Sequence, residues 1–75
     1  MKNKFIELMK EALENEELEI NMSDNFRDYD EWDSLTLLTV IAMIDEEYEV
    51  VIEGDAFDKL ETVEDMYNEI VKNVT

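Results

Sequence analysis

The chain contains no cysteine and no histidine. The side chains that most often supply a thiolate nucleophile, a base near neutral pH or a soft metal ligand are therefore missing. Among the hydroxyls that remain, Ser34 stands out. It lies in the stretch Glu31-Trp32-Asp33-Ser34-Leu35-Thr36-Leu37-Leu38, between an acid and a long apolar run. Asp33 and Ser34 are residue types suited to the cap and first turn of a helix, and Ser34 itself is a candidate cap.

Carboxylates are abundant, but with 22 acids in 75 residues close pairs arise by chance, and so short a chain has little depth for a substrate pocket. No catalytic residue is expected, and the protein is not expected to be an enzyme. The acid-rich stretch from Asp24 to Thr36 raises calcium, which in an EF-hand loop needs oxygen ligands at positions 1, 3 and 5, glycine at 6 and a bidentate glutamate at 12. Counted from Asp28, the fifth position is Trp32, the sixth Asp33 and the twelfth Thr39. The pattern fails, and no metal site is expected.

These residues need a scaffold, and the apolar spacing supplies an all-α one. Phe5, Leu8, Met9, Ala12 and Leu13 recur at helical intervals and predict a first helix over residues 3–15. The period is lost from Asn15 to Asp33, a stretch that still carries Leu18, Ile20, Met22, Phe26, Tyr29 and Trp32. It reads as a long loop pinned to the core, and loops of this length usually serve function.

A second helix is expected from Ser34, with Leu37, Val40, Ile41, Ile44 and Tyr48 facing inward. A turn at Gly54-Asp55 and one helical turn near Ala56 to Lys59 follow. The last helix opens with Thr62-Val63-Glu64-Asp65, close to a capping box, and carries Val63, Met66, Tyr67, Ile70, Val71 and Val74 as its stripe. The predicted fold is a small four-helix bundle, three main helices plus one short helix, forming a single domain over residues 1–75.

Composition narrows the partners. Six basic residues against 22 acidic give a formal net charge of −16, spread along the chain. Nucleic acid and anionic membranes would be repelled, whereas proteins with basic patches would be attracted. A disordered acidic tail does not fit a chain that is 45% hydrophobic with helical periodicity. Neither a signal peptide nor a membrane span is expected, and the absence of cysteine suits the cytoplasm.

From Leu35 to Ile44 every residue is apolar except Thr36 and Thr39, so this helix is apolar beyond its core face. Leu35, Leu38 and Ala42 fall on a second strip that starts beside the serine. Three helices cannot bury one of their number all round, so the strip is a candidate docking surface.

Asp33-Ser34-Leu35 opening a helix, Glu46-Glu47-Tyr48-Glu49-Val50 closing it, and Leu60-Glu61-Thr62-Val63-Glu64-Asp65 leading into the last helix together resemble the acyl carrier proteins over nearly the whole chain. The resemblance implies that Ser34 receives 4′-phosphopantetheine from coenzyme A through a phosphopantetheinyl transferase. It further implies that the arm's thiol carries an acyl group as a thioester, and that Asp33 and Leu35 frame the site. Asp33 would help the transferase hold its metal. Physical reasoning agrees, because a serine at a helix N-terminus points outward where free N–H groups and the dipole favour a phosphodiester.

Two departures from the family pattern bear on its partners, the acyl-loading and acyl-accepting enzymes. Trp32 occupies the segment where many members carry glycine, and it either packs the loop or is read by a partner. Thr36 and Thr39 stand where fatty-acid carriers tend to place acids, while the acids here gather at Asp45, Glu46, Glu47 and Glu49. The expected partners are enzymes of fatty-acid, polyketide, peptide or specialised lipid synthesis, and the missing early acids put a housekeeping role with fatty-acid synthases in doubt. The protein is expected to be monomeric. The competing reading is an acidic interaction module or inhibitor in which Ser34 is unmodified and serves only as a cap.

Overall fold

The computed structural model describes residues 2–74. Four α-helices follow in order, α1 (Lys2–Ala12), α2 (Ser34–Tyr48), α3 (Gly54–Phe57) and α4 (Val63–Val74), with a 3₁₀ turn at Phe26–Asp28 inside the long first connection. No strand occurs among the described residues, and α2 packs against both α1 and α4.

Helix α1 is shorter at its C-terminal end than its apolar period suggests. Glu14 takes the left-handed conformation at φ 57°, and the amides of Glu14 and Asn15 donate back to the carbonyls of Glu11 and Lys10 at 3.0 and 3.1 Å. This is a Schellman closure, and it turns the chain away although no glycine marks the place. Helix α3 begins at Gly54, on the residues expected to turn and two before the expected helical turn at Ala56, and among the described residues no glycine has positive φ.

The core is built from one face of each long helix: Phe5 and Met9 of α1, Val40 and Ile44 of α2, and Val63, Met66 and Ile70 of α4. Leu37, Ile41 and Tyr48 pack around its edge as expected. The inward stripe of α4 ends sooner than predicted, since Val71 and Val74 are exposed. Among the described residues no polar or charged residue is buried as a whole, so the negative charge stays in water, and the buried polar atom left without a partner is the Tyr48 hydroxyl.

The first connection belongs to this core. It contributes Leu13, Ile20 and Phe26 as buried residues, while Trp32 meets the Phe26 ring edge-on at 4.7 Å between centroids and stacks on Phe57 at 6.1 Å. Its carbonyls also cap α4. Asp24 and Met22 accept from the Val63 and Glu64 amides at 3.0 and 2.8 Å. The Arg27 guanidinium donates to the carbonyls of Leu60 and Phe57, tying the loop to the far end of α3. The loop is ordered because these contacts satisfy backbone groups that burial would otherwise leave unpaired.

The predicted capping box of α4 is present in reciprocal form. Thr62 Oγ1 accepts from the Asp65 amide at 3.1 Å, and Asp65 Oδ2 accepts from the Thr62 and Glu61 amides at 3.1 and 3.0 Å. These donors hold the Asp65 carboxyl below the usual carboxylate range, the Thr62 amide contributing most.

Candidate functional site

The N-terminus of α2 is assembled from one cap and one exposed hydroxyl, on neighbouring residues. Asp33 is extended at φ −151° and ψ −175°, and its Oδ1 accepts the Thr36 amide hydrogen at 2.8 Å. Asp33 is therefore the cap, and the expectation that Ser34 caps the helix is corrected: Ser34 is the first helical residue. The physical reason is reach, because a capping oxygen must come from the residue just outside the helix to meet the amide of its third residue. The Thr36 amide also holds the Asp33 carboxyl below its ordinary value, so the cap is ionised at neutral pH.

Ser34 is exposed, as is Leu35 after it. The contrast with α4 is instructive, since all three leading amides of that helix, Val63, Glu64 and Asp65, are occupied by the loop and by Thr62. No acidic residue lies within the first turn of α2, and its nearest acid, Asp33, is turned onto Thr36. An exposed hydroxyl on the first residue of a fifteen-residue helix, with no acid in that turn, suits a phosphate ester.

The segment leading to the serine is held from several sides. The Thr36 hydroxyl donates to the Glu31 carbonyl at 2.9 Å, and the Asn15 side-chain amide donates to Glu31 Oε2 at 2.8 Å. Trp32, half-buried, lies with Phe26 and Phe57 rather than on the exposed face of α2. Thr39 spends its hydroxyl on the Leu35 carbonyl at 3.0 Å.

Beyond the serine, Leu35 at 72% exposure and Leu38 at 63% continue into exposed Ala42, Asp45 and Glu46. At 3.6 residues per turn these five lie on one side of α2, a strip about 17 Å long that is apolar at the serine end and acidic at the other. The sequence reading located these residues but missed Asn15 and Glu31. No signal could have paired them, since a single hydrogen bond between loop residues 16 apart leaves no periodic trace.

A family model described as a phosphopantetheine attachment site matches residues 3–70. No curated protein matches the chain. Among solved structures, the solution NMR structure of holo acyl carrier protein from Geobacter metallireducens is similar, with a TM-score of 0.84 at 18% identity over 96% of this chain and 83% of that one. At that identity the likeness shows a shared fold. Domains matched by this family model hold 4′-phosphopantetheine covalently and act as carriers rather than catalysts. With the model covering the helices from α1 to most of α4, the chain belongs to the phosphopantetheine attachment family.

Proposed function

We propose that Ser34 is the attachment residue and that the protein carries acyl or related groups as thioesters on its arm. The single observation behind this reading is the exposed Ser34 hydroxyl at the first position of α2, left unused by a cap that Asp33 provides. In the modification, Ser34 Oγ forms an ester bond to the phosphorus that bears pantetheine in the diphosphate of coenzyme A. The bridging P–O bond breaks, adenosine 3′,5′-bisphosphate leaves, and the hydroxyl proton passes to a base of the transferase or to solvent. The arm supplies the thiol that this cysteine-free chain lacks, so no protein thiol competes for the cargo.

The strip Leu35, Leu38, Ala42, Asp45 and Glu46 is the surface that the transferase and acyl-handling enzymes dock on. Its apolar end seats beside the serine, and its acidic end attracts basic patches on those partners. Trp32 contributes to partner choice indirectly, by fixing the backbone just before Asp33. Thr36 and Thr39 direct their hydroxyls to backbone carbonyls, so the early turns of α2 offer no charge. That uncharged start supports a carrier dedicated to polyketide, peptide or specialised lipid synthesis at least as well as one serving fatty-acid synthases.

Co-expression with a broad-specificity phosphopantetheinyl transferase tests the reading. One phosphopantetheine mass is expected on the intact protein and none on Ser34→Ala. An unmodified wild-type chain after trial of several such transferases would overturn it in favour of an acidic interaction module.

A further inference from the structure

We infer that Asn15, Glu31 and Thr36 are positioning residues that lock the turn presenting Ser34. This rests on Ser34 being the attachment residue.

The three residues form one chain of hydrogen bonds between the end of α1 and the start of α2. Asn15 is fixed at both ends. Its backbone amide closes α1 on the Lys10 carbonyl at 3.1 Å, and its side-chain oxygen accepts the Glu17 amide at 3.1 Å. With that oxygen occupied, the other end of the amide is necessarily the donor, and it meets Glu31 Oε2 at 2.8 Å. Glu31 then holds α2, because its carbonyl accepts the Thr36 hydroxyl at 2.9 Å.

Thr36 is engaged twice, since its amide is the donor to Asp33. The backbone from Glu31 to Thr36 is thus closed into a loop by the Thr36 side chain and tied to α1 by the Glu31 side chain. The Trp32 ring anchors the same segment to Phe26 and Phe57. Ser34 sits inside this loop with its own side chain exposed. All three network residues are partly buried, so the bonds are shielded from competing water to a degree that exposed pairs are not.

The chemical consequence concerns transfer. Attack on a diphosphate requires the hydroxyl to approach the phosphorus in line, and a nucleophile on a fixed turn loses less freedom on reaching that geometry than one on a mobile turn. Of the docking strip only Leu35 lies within this turn, while Leu38, Ala42, Asp45 and Glu46 lie beyond it, so loosening the turn should slow the bond-forming step and largely spare binding.

The donor order allows a decisive swap. Asn15→Asp replaces the donor with a carboxylate facing Glu31 and breaks the link, whereas Asn15→Asp combined with Glu31→Gln restores a donor on the opposite side. Thr36→Val removes the hydroxyl at nearly constant volume, and Thr36→Ser keeps it.

Transfer from coenzyme A by a broad-specificity transferase is followed by intact mass, with circular dichroism confirming that each variant is folded at the assay temperature. Asn15→Asp and Thr36→Val are each expected to lower kcat about fivefold to tenfold with KM for the carrier unchanged, the size expected for loss of one hydrogen bond. The swap and Thr36→Ser are expected to recover the rate, and amide exchange at residues 34–36 to quicken only in the two impaired variants. Loading of both impaired variants at the wild-type rate, or impairment that the swap fails to relieve, would overturn the positioning role. A wild-type chain that accepts no phosphopantetheine would instead remove the attachment reading on which it stands.

Discussion

Asp33 and Ser34 divide between them two tasks that a single residue could have combined: the Asp33 carboxylate accepts the Thr36 amide hydrogen at 2.8 Å, and the Ser34 hydroxyl is exposed. Ser34→Ala should therefore leave the melting temperature and helicity of the unmodified protein unchanged while Asp33→Ala lowers both. The pH dependence follows from the direction of the Asp33 shift. Its folded-state pKa lies below the ordinary 3.8, so the capped state prefers the ionised form. The contribution is fully present above the unfolded value and is lost as pH falls through the lower folded value. The difference in stability between wild type and Asp33→Ala should be constant from pH 5 to 8 and shrink below about pH 4. Urea titrations at several pH values check this, and a difference that grew on acidification would contradict it.

Leu38 contributes little to the fold, with 63% of it exposed, and lies one turn from the serine. Leu38→Glu should change stability by no more than about 0.5 kcal/mol. It places a charge in the apolar half of the proposed docking strip, so KM for the transferase should rise with kcat retained. That is the opposite split from the one expected for Thr36→Val. Loss of the fold in Leu38→Glu would mean that α2 buries a different face.

Arg27 secures the long loop by donating to the carbonyls of Phe57 and Leu60 while lying over the Phe26 ring at 4.6 Å. Hydrogen bonds from a charged group are the stronger kind, and this arrangement is partly buried. Arg27→Ala should cost about 1–3 kcal/mol in denaturant unfolding, reduced toward the lower figure by the exposure of the side chain. Arg27→Lys should recover less than half, because a single ammonium cannot serve two carbonyls in the geometry of a guanidinium fork. Full recovery by lysine would show that charge alone, rather than the fork, holds the loop.

These contacts also show where the sequence was readable. The starts of α2 and α4 were legible because caps are local, with Asp33 to Thr36 and Thr62 to Asp65 each spanning three residues. The choice of Asp33 over Ser34 as cap was not, since both residue types serve and only the backbone decides. The end of α1 was misplaced because its closure uses Glu14 at φ 57° rather than a glycine. On α4 the apolar period runs to Val74 while burial stops at Ile70, one turn earlier, and periodicity cannot say how far a packing layer extends. The order within the long loop was suggested by its large apolar residues, but its fasteners, Arg27 to Leu60 and Asn15 to Glu31, join residues with no pattern between them.

Glu49 is a second residue held in the left-handed conformation, at φ 56° and ψ 36°, where it ends α2. A non-glycine residue there is strained by roughly 1 kcal/mol, and a carboxylate is further opposed by the negative end of the helix dipole. The last turn of α2 has no basic residue to compensate. Glu49→Gly should therefore stabilise the protein by about 1 kcal/mol, and Glu49→Gln, which removes charge but keeps the side chain, by less. Equal gains from the two variants would assign the whole effect to charge.

Ionic strength separates attraction from repulsion in a chain of net charge −16. Among the described residues the ion pairs are Lys4 with Glu47 and Lys10 with Glu7, both at 3.8 Å and neither with both partners buried. Exposed pairs of this kind contribute on the order of 0–1 kcal/mol, and salt weakens them. Self-repulsion among the 22 acids is screened by the same salt, over a distance of about 10 Å at 0.1 M. Many repulsive pairs are relieved for each attractive one lost, so stability should rise with salt. A gain of about 1 kcal/mol would lift the melting temperature of a domain this size by about 4–8 °C. Thermal melts from 10 mM to 500 mM sodium chloride should show a monotonic increase. A melting temperature that fell with salt would mean that the two lysine pairs outweigh the summed repulsion, and that the acidic surface is balanced locally in a way its composition conceals.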